Sequence, residues 1–248
     1  MSTYSLETDG VRIVYDVVDG GPPVLLLHSG SADSSWWCDL VPALADHHTV
    51  VTMDSRGHGR SSFDDRQLTY RQMADDTLAL LDELRIDRVD IVGWSDGAII
   101  ALDIALRQPE RLGRVVAYGV NFDLNGYRGS DAEEKSSPGA ERFMAENPAR
   151  YQADSPAPER WDEFLANLRQ MWTTEPNWAQ EEMRSIQTPI LVLDGLEEEV
   201  IDIDHVRLLA ELLPNGTLEL MPGTGHFAMI DRSEEFARIV VNYLDREP

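Results

Sequence analysis

Residues 88–106 read Arg88-Val89-Asp90-Ile91-Val92-Gly93-Trp94-Ser95-Asp96-Gly97-Ala98-Ile99-Ile100-Ala101-Leu102-Asp103-Ile104-Ala105-Leu106. The first five are the pattern of a short buried strand, and the last nine that of a buried helix. Between them stands Gly93-Trp94-Ser95-Asp96-Gly97, a G-x-S-x-G. A serine so placed, at a sharp strand-to-helix turn, occupies a nucleophile elbow. Such a turn needs glycine at its flanks, because a Cβ there would collide with the neighbouring chain. The turn also lifts the serine oxygen above the sheet, where a base can reach it.

Outward from the elbow, strands and helices alternate. Residues 11–17, 23–28 and 49–54 read as strands, with a short helix over 35–45. Residues 70–84 form an amphipathic helix, with Met73, Thr77, Leu80, Leu81 and Leu84 on one face. After the elbow come a strand at 114–119, another at 189–195, a helix at 205–213, a strand at 217–221 and a helix at 233–244. Continuously apolar strands between helices predict an α/β fold, a mostly parallel sheet covered on both faces. Residues 121–188 break this rhythm. They predict a helical cap inserted after the sixth core strand, with residues 1–120 and 189–248 forming the core. The cap carries Trp161, Trp172 and Trp178. These tryptophans anchor a helical layer, line a substrate pocket, or do both; at least one is expected to face the pocket.

The 248 residues suffice for a sizeable core. No apolar stretch approaches the ~18 residues of a membrane span. The N-terminus shows no signal-peptide pattern. One cysteine, Cys38, excludes an internal disulfide and a cysteine metal cluster. Together these features predict a cytoplasmic chain. The formal net charge is −24, and Lys135 is the sole lysine. Such a field disfavours nucleic acid and anionic membranes as partners and repels acidic substrates at long range. It fits an acid-rich solvated surface, or a site that prefers cationic substrates.

A serine nucleophile needs a base, and the base needs an orienting acid. Five of six histidines sit where local structure explains them: His28 at a strand end, His47 and His48 at a helix end, His58 in a Gly-rich turn, His205 at a helix start. His226 lies in Met221-Pro222-Gly223-Thr224-Gly225-His226-Phe227, after the last core strand. There the chain order serine, acid, histidine would place the base.

With these residues in view, the chain resembles a serine hydrolase of the α/β-hydrolase fold over nearly its whole length. Asp54-Ser55-Arg56-Gly57-His58-Gly59-Arg60-Ser61 resembles that family's D-x-R-G-x-G-x-S turn, which is expected to be structural. Leu25-Leu26-Leu27-His28-Ser29-Gly30 resembles its oxyanion loop, with Ser29 in place of the usual first glycine. The resemblance implies an oxyanion hole from the Gly30 and Asp96 amides. It places the triad acid at Glu198 of Gly195-Leu196-Glu197-Glu198, where the family has G-x-x-D. Glu197, Glu199 and Asp123, the last at the alternative acid site after the sixth strand, remain rivals.

Within the fold, the elbow and Tyr118-Gly119-Val120-Asn121 are similar to valacyclovir hydrolase-like esterases. This implies that Asp96 pairs with the α-ammonium of an amino-acid ester; alternatively, Asp96 only stabilises the positive end of a helix. Asp96, Trp94, Ser31 and Trp37 are expected to contact substrate. The resemblance implies cleavage of small carboxylic esters through Ser95, His226 and Glu198, with no metal or organic cofactor; a monomer or homodimer is expected. A lactonase, a C–C bond hydrolase or an aminopeptidase on the same triad, or a non-catalytic small-molecule receptor, would share these residues.

Overall fold

The computed structural model describes residues 1–37, 39–128 and 137–246. Cys38 and Lys135, singled out above, lie outside them. Eight strands form one sheet: β1 (Ser2–Thr8), β2 (Val11–Val18), β3 (Pro23–Leu27), β4 (Thr49–Asp54), β5 (Val89–Trp94), β6 (Leu112–Tyr118), β7 (Ile190–Gly195) and β8 (Gly216–Met221). Their spatial order is β1-β2-β4-β3-β5-β6-β7-β8. β2 pairs antiparallel with both β1 and β4, and the pairings from β4 through β8 are parallel.

The apolar runs divide by the period of two that a strand imposes. Leu25, Leu27, Ile91, Val115, Ala117, Ile190 and Val192 enter one core cluster. Val24, Leu26, Val92, Val116, Tyr118, Leu191 and Leu193 enter the other. Helices α2 (Tyr70–Glu83), α3 (Asp96–Arg107) and α7 (Ile203–Leu212) cover the first face. Helices α1 (Leu40–Ala45) and α9 (Ser233–Leu244) cover the second. This is the α/β-hydrolase architecture. Between β6 and β7 the chain forms α4 (Pro138–Asp154), α5 (Trp161–Trp172) and α6 (Gln180–Ser185), and after β8 a short α8 (Ala228–Asp231).

Two local differences from the sequence reading have simple causes. β1 is an edge strand whose side chains are mostly exposed, so it carries no apolar run to announce it. The helix expected over 35–45 is a 3₁₀ turn at Ser34–Trp37 followed by α1 from Leu40. Asp33 closes that first turn, its carboxylate accepting the Ser35 N–H and hydroxyl. Among the described residues no helix is long and apolar enough to cross a membrane.

Candidate active site

The candidate residues follow the carboxyl ends of parallel strands, where open α/β sheets gather their ligand sites. Ser95 follows β5 and holds φ 54°, ψ −115°. A non-glycine residue in that region is strained and persists only when its surroundings over-determine it. Here the Ser95 N–H donates to the Tyr118 carbonyl at 2.7 Å, and its carbonyl accepts Ala98 N–H at 2.8 Å. Glycine is required on either side: a Cβ on Gly93 would come within 2.6 Å of the Ala98 backbone, and one on Gly97 would overlap the Leu27 carbonyl.

His226 follows β8. Its Nδ1 lies 3.0 Å from Glu198 Oε1 and 3.1 Å from Oε2. Both residues are nearly inaccessible, at 3% and 4% exposure. Glu198 Oε1 also accepts the N–H groups of Val200 (2.7 Å) and Ile201 (3.0 Å). A carboxylate fed by three donors is held in its charged form. Burial opposes this, but His226 and these bonds hold Glu198 down at about 2. Asp194, at the end of β7, is wholly buried. Burial and the neighbouring Glu198 charge push its carboxyl well above the usual range. Of the two acids, Glu198 has the imidazole and two amides; Asp194 has the Gly195 N–H. The negative charge therefore resides on Glu198. For His226, burial disfavours the imidazolium, but Glu198, Glu199 and Asp96 outweigh it and raise the group above the ordinary histidine value.

The glutamates beside Glu198 are neither idle surface charges nor partners of the ring. Glu197 Oε2 accepts the N–H groups of Gly223 (2.8 Å) and Thr224 (3.1 Å). Glu199 Oε2 accepts the backbone N–H of His226 at 2.8 Å. All three consecutive side chains grip the loop that carries His226. Asp123, the other rival acid, accepts Asn125 N–H at 2.7 Å and lies 3.9 Å from Nδ1 of His205.

Ser95 and His226 open on a cavity of about 270 Å³, lined also by Gly30, Ser31, Tyr70, Asp96, Tyr127, Phe143, Trp172 and Glu175. Ser31 is anchored by Asn147 of α4, whose Nδ2 donates to its carbonyl at 2.8 Å. Asp96 does not simply cap α3. Its Oδ1 accepts the Tyr70 hydroxyl at 2.8 Å, and Trp172 Nε1 donates to both oxygens at 3.0–3.1 Å. Burial raises its carboxyl above the ordinary value despite these donors. The backbone N–H of Asp96 lies in the first turn of α3, where amides lack an intrahelical acceptor.

Trp94 and Trp37 do not line the cavity. Side chains alternate across a strand, so Trp94 turns under the sheet while Ser95 rises above it. Trp94 is fully buried; its Nε1 donates to the His226 carbonyl at 2.9 Å. Trp37 packs edge-on to Trp94 and stacks on Phe236. Both serve the core behind the site. Of the three tryptophans between β6 and β7, Trp172 reaches the cavity.

The 54–61 turn is tied to the loop after β3. Asp54 accepts Ser34 N–H (2.9 Å) and Arg60 Nε (2.7 Å), and His28 Nε2 accepts Ser55 N–H at 3.0 Å. Arg56, 1% exposed, makes a two-pronged pair with Asp76, both bonds 2.6 Å. Tyr70 and Glu175 were not singled out as site residues from sequence, and Glu197 and Glu199 entered only as rivals for the triad acid. Tyr70 opens a helix and Glu175 precedes a proline, and neither carries a local signal of its partner.

A strained serine, a buried His–Glu pair and a cavity at the carboxyl ends of a parallel sheet define a serine hydrolase of the α/β class. The chain belongs to the alpha/beta hydrolase family, whose model matches residues 24–239. It is 28% identical to a 2-hydroxy-6-oxo-2,4-heptadienoate hydrolase of Pseudomonas putida, over 94% of this chain and 92% of that protein. It is 27% identical to the serine hydrolase BPHL of Mus musculus, over 98% and 87% of the two chains. Among solved structures it is similar to Est816, an N-acyl homoserine lactone degrading enzyme, with TM-score 0.76 and 26% identity over 97% of this chain and all of that one.

Proposed function

We propose that the protein hydrolyses small carboxylic esters through an acyl-enzyme on Ser95, with a preference for esters bearing an α-ammonium group. The observation that carries the triad is the His226 Nδ1–Glu198 contact of 3.0 Å beside a serine at an elbow. With Nδ1–H donating to Glu198, Nε2 is left to take the Ser95 proton. Ser95 Oγ attacks the ester carbonyl, and the Gly30 and Asp96 amides receive the oxyanion. The imidazolium returns its proton to the leaving alcohol as the C–O bond breaks. Water then attacks the acyl-enzyme, with His226 again as base. A panel of p-nitrophenyl, amino-acid and lactone esters tests the assignment; turnover of none of them would overturn it.

Charge in the cavity bears on the substrate. Asp96 and Glu175 are among its lining residues, and no arginine or lysine is, among the described residues. A substrate carboxylate, such as a dienoate carries, finds no arginine or lysine among these lining residues, whereas an ammonium finds two carboxyl groups. A carboxylate beside a developing oxyanion raises the barrier unless something compensates it. Tyr70 and Trp172 do so in part, and a substrate ammonium would complete the task. A charge-assisted bond of this kind is worth ~1.5–3 kcal/mol, or roughly 10- to 150-fold in kcat/KM. Wild type should prefer an alanyl ester over the matched ester lacking the amine by that factor, and Asp96→Asn should remove most of it. The net charge of −24 also attracts cations, but that field is screened beyond ~8 Å at 0.15 M salt. A preference that survives Asp96→Asn, or vanishes in salt, would make Asp96 a structural residue.

The pH profile follows from His226. Only the neutral imidazole accepts the serine proton, and its surroundings favour the charged form. Activity should therefore rise with pH along a limb centred above the usual histidine value of ~6.5. With acylation rate-limiting, a flat kcat/KM between about pH 5 and 9 would exclude a histidine base.

A further inference from the structure

Glu199 is a half-buried carboxylate for which the ester mechanism above has no use. Its Oε2 takes the backbone N–H of His226 at 2.8 Å, and its Oε1 is buried without a partner among the described residues. The loop is shaped around it: a Cβ on Gly225 would overlap Oε2. His226 is thus held at three points, its N–H by Glu199, its carbonyl by Trp94 Nε1 and its ring by Glu198. We propose that Glu199 is a positioning residue, pinning the main chain of the base so that Glu198 has only the ring to orient. This rests on the triad reading but can be tested apart from it.

A loop anchor that merely stabilised the fold would leave the chemistry of His226 unchanged; Glu199 also adds charge. The groups facing His226 are Glu198, Glu199 and Asp96, with Asp194 behind Glu198. Removing one of these negative charges disfavours the imidazolium. Glutamine at 199 keeps an acceptor for the His226 N–H and loses the charge; alanine loses both.

The test compares Glu199→Gln and Glu199→Ala in the full chain. Glu199→Ala should lower kcat by about 10- to 100-fold with little change in KM, because sub-ångström placement of the base is lost. Glu199→Gln should restore most of that rate and move the His226 titration, read by NMR of the imidazole, to lower pH. Wild-type kcat in the alanine variant, or equal impairment of both variants, overturns the proposal. So does an unmoved titration in Glu199→Gln.

Should Glu199→Ala fail to fold, Gly225→Ala makes the same displacement from the other side. It should cost a similar factor in kcat alone and much less on top of Glu199→Asp, whose shorter arm leaves room for the methyl and no longer reaches the His226 N–H. Full additivity of the two overturns the proposal. If wild type cleaves no ester, the functional reading fails. The imidazole titration and the rate of Ser95 labelling by a fluorophosphonate still report on Glu199.

Discussion

Replacing Ser95 by alanine should lower kcat for ester cleavage by on the order of 10⁶-fold, the typical cost of a triad nucleophile. The size follows from cooperation: without the nucleophile, neither the His226–Glu198 pair nor the oxyanion amides have an acyl-enzyme to serve. The fold should survive, because what Ser95 gives the core is its backbone. The bonds from its N–H to Tyr118 and from Ala98 to its carbonyl do not involve the hydroxyl. The backbone φ of 54° is inherited unchanged by alanine. The measurements are kcat on a responsive ester, fluorophosphonate labelling and the thermal midpoint. Surviving turnover together with surviving covalent labelling would place the nucleophile elsewhere.

Glu198→Gln should cut kcat/KM by about 10²- to 10⁴-fold. Glu198 Oε1 already accepts two backbone N–H groups and faces Nδ1 of His226. A glutamine keeps one oxygen for those donors and places its NH₂ where Oε2 stands, 3.1 Å from Nδ1. Presented to Nδ1, it selects the tautomer with the proton on Nε2, which cannot accept from serine. Because His226 holds Glu198 down at about 2, the carboxylate stays charged over the working pH range. The loss in the variant is therefore one of tautomer and charge at every such pH. Asp123→Asn should do far less, since Asp123 serves the turn at Asn125 and stands near His205. The opposite ranking of the two variants would move the acid to the loop after β6.

Particular residues show how far the chain can be read without coordinates. The elbow was legible because its chemistry is local: Gly93 and Gly97 answer to clashes within one turn and with the adjoining strand. The inner strands were legible because burial on both faces demands an unbroken apolar run, as in Val24 to Leu27. β1 was not, since an exposed edge strand is specified by its pairing with β2. Trp94 and Trp37 were misplaced because an aromatic beside a nucleophile looks like a pocket residue. Strand alternation sends Trp94 to the opposite face instead, where Trp37 meets it.

The sequence by itself determined the sheet class, the serine and the candidate histidine, since each follows from patterns a few residues long. Tertiary structure decided which of three consecutive glutamates faces the imidazole. Glu197, Glu198 and Glu199 are identical in chemistry and differ only in the direction the turn after β7 gives them. It also decided the setting of Asp96, whose partners Tyr70 and Trp172 are 26 and 76 positions away in the chain. Hydrogen bonds across such separations exist only once α2 and α5 have packed over the sheet. No local pattern encodes them, because the burial that makes them worth forming is itself a product of the fold.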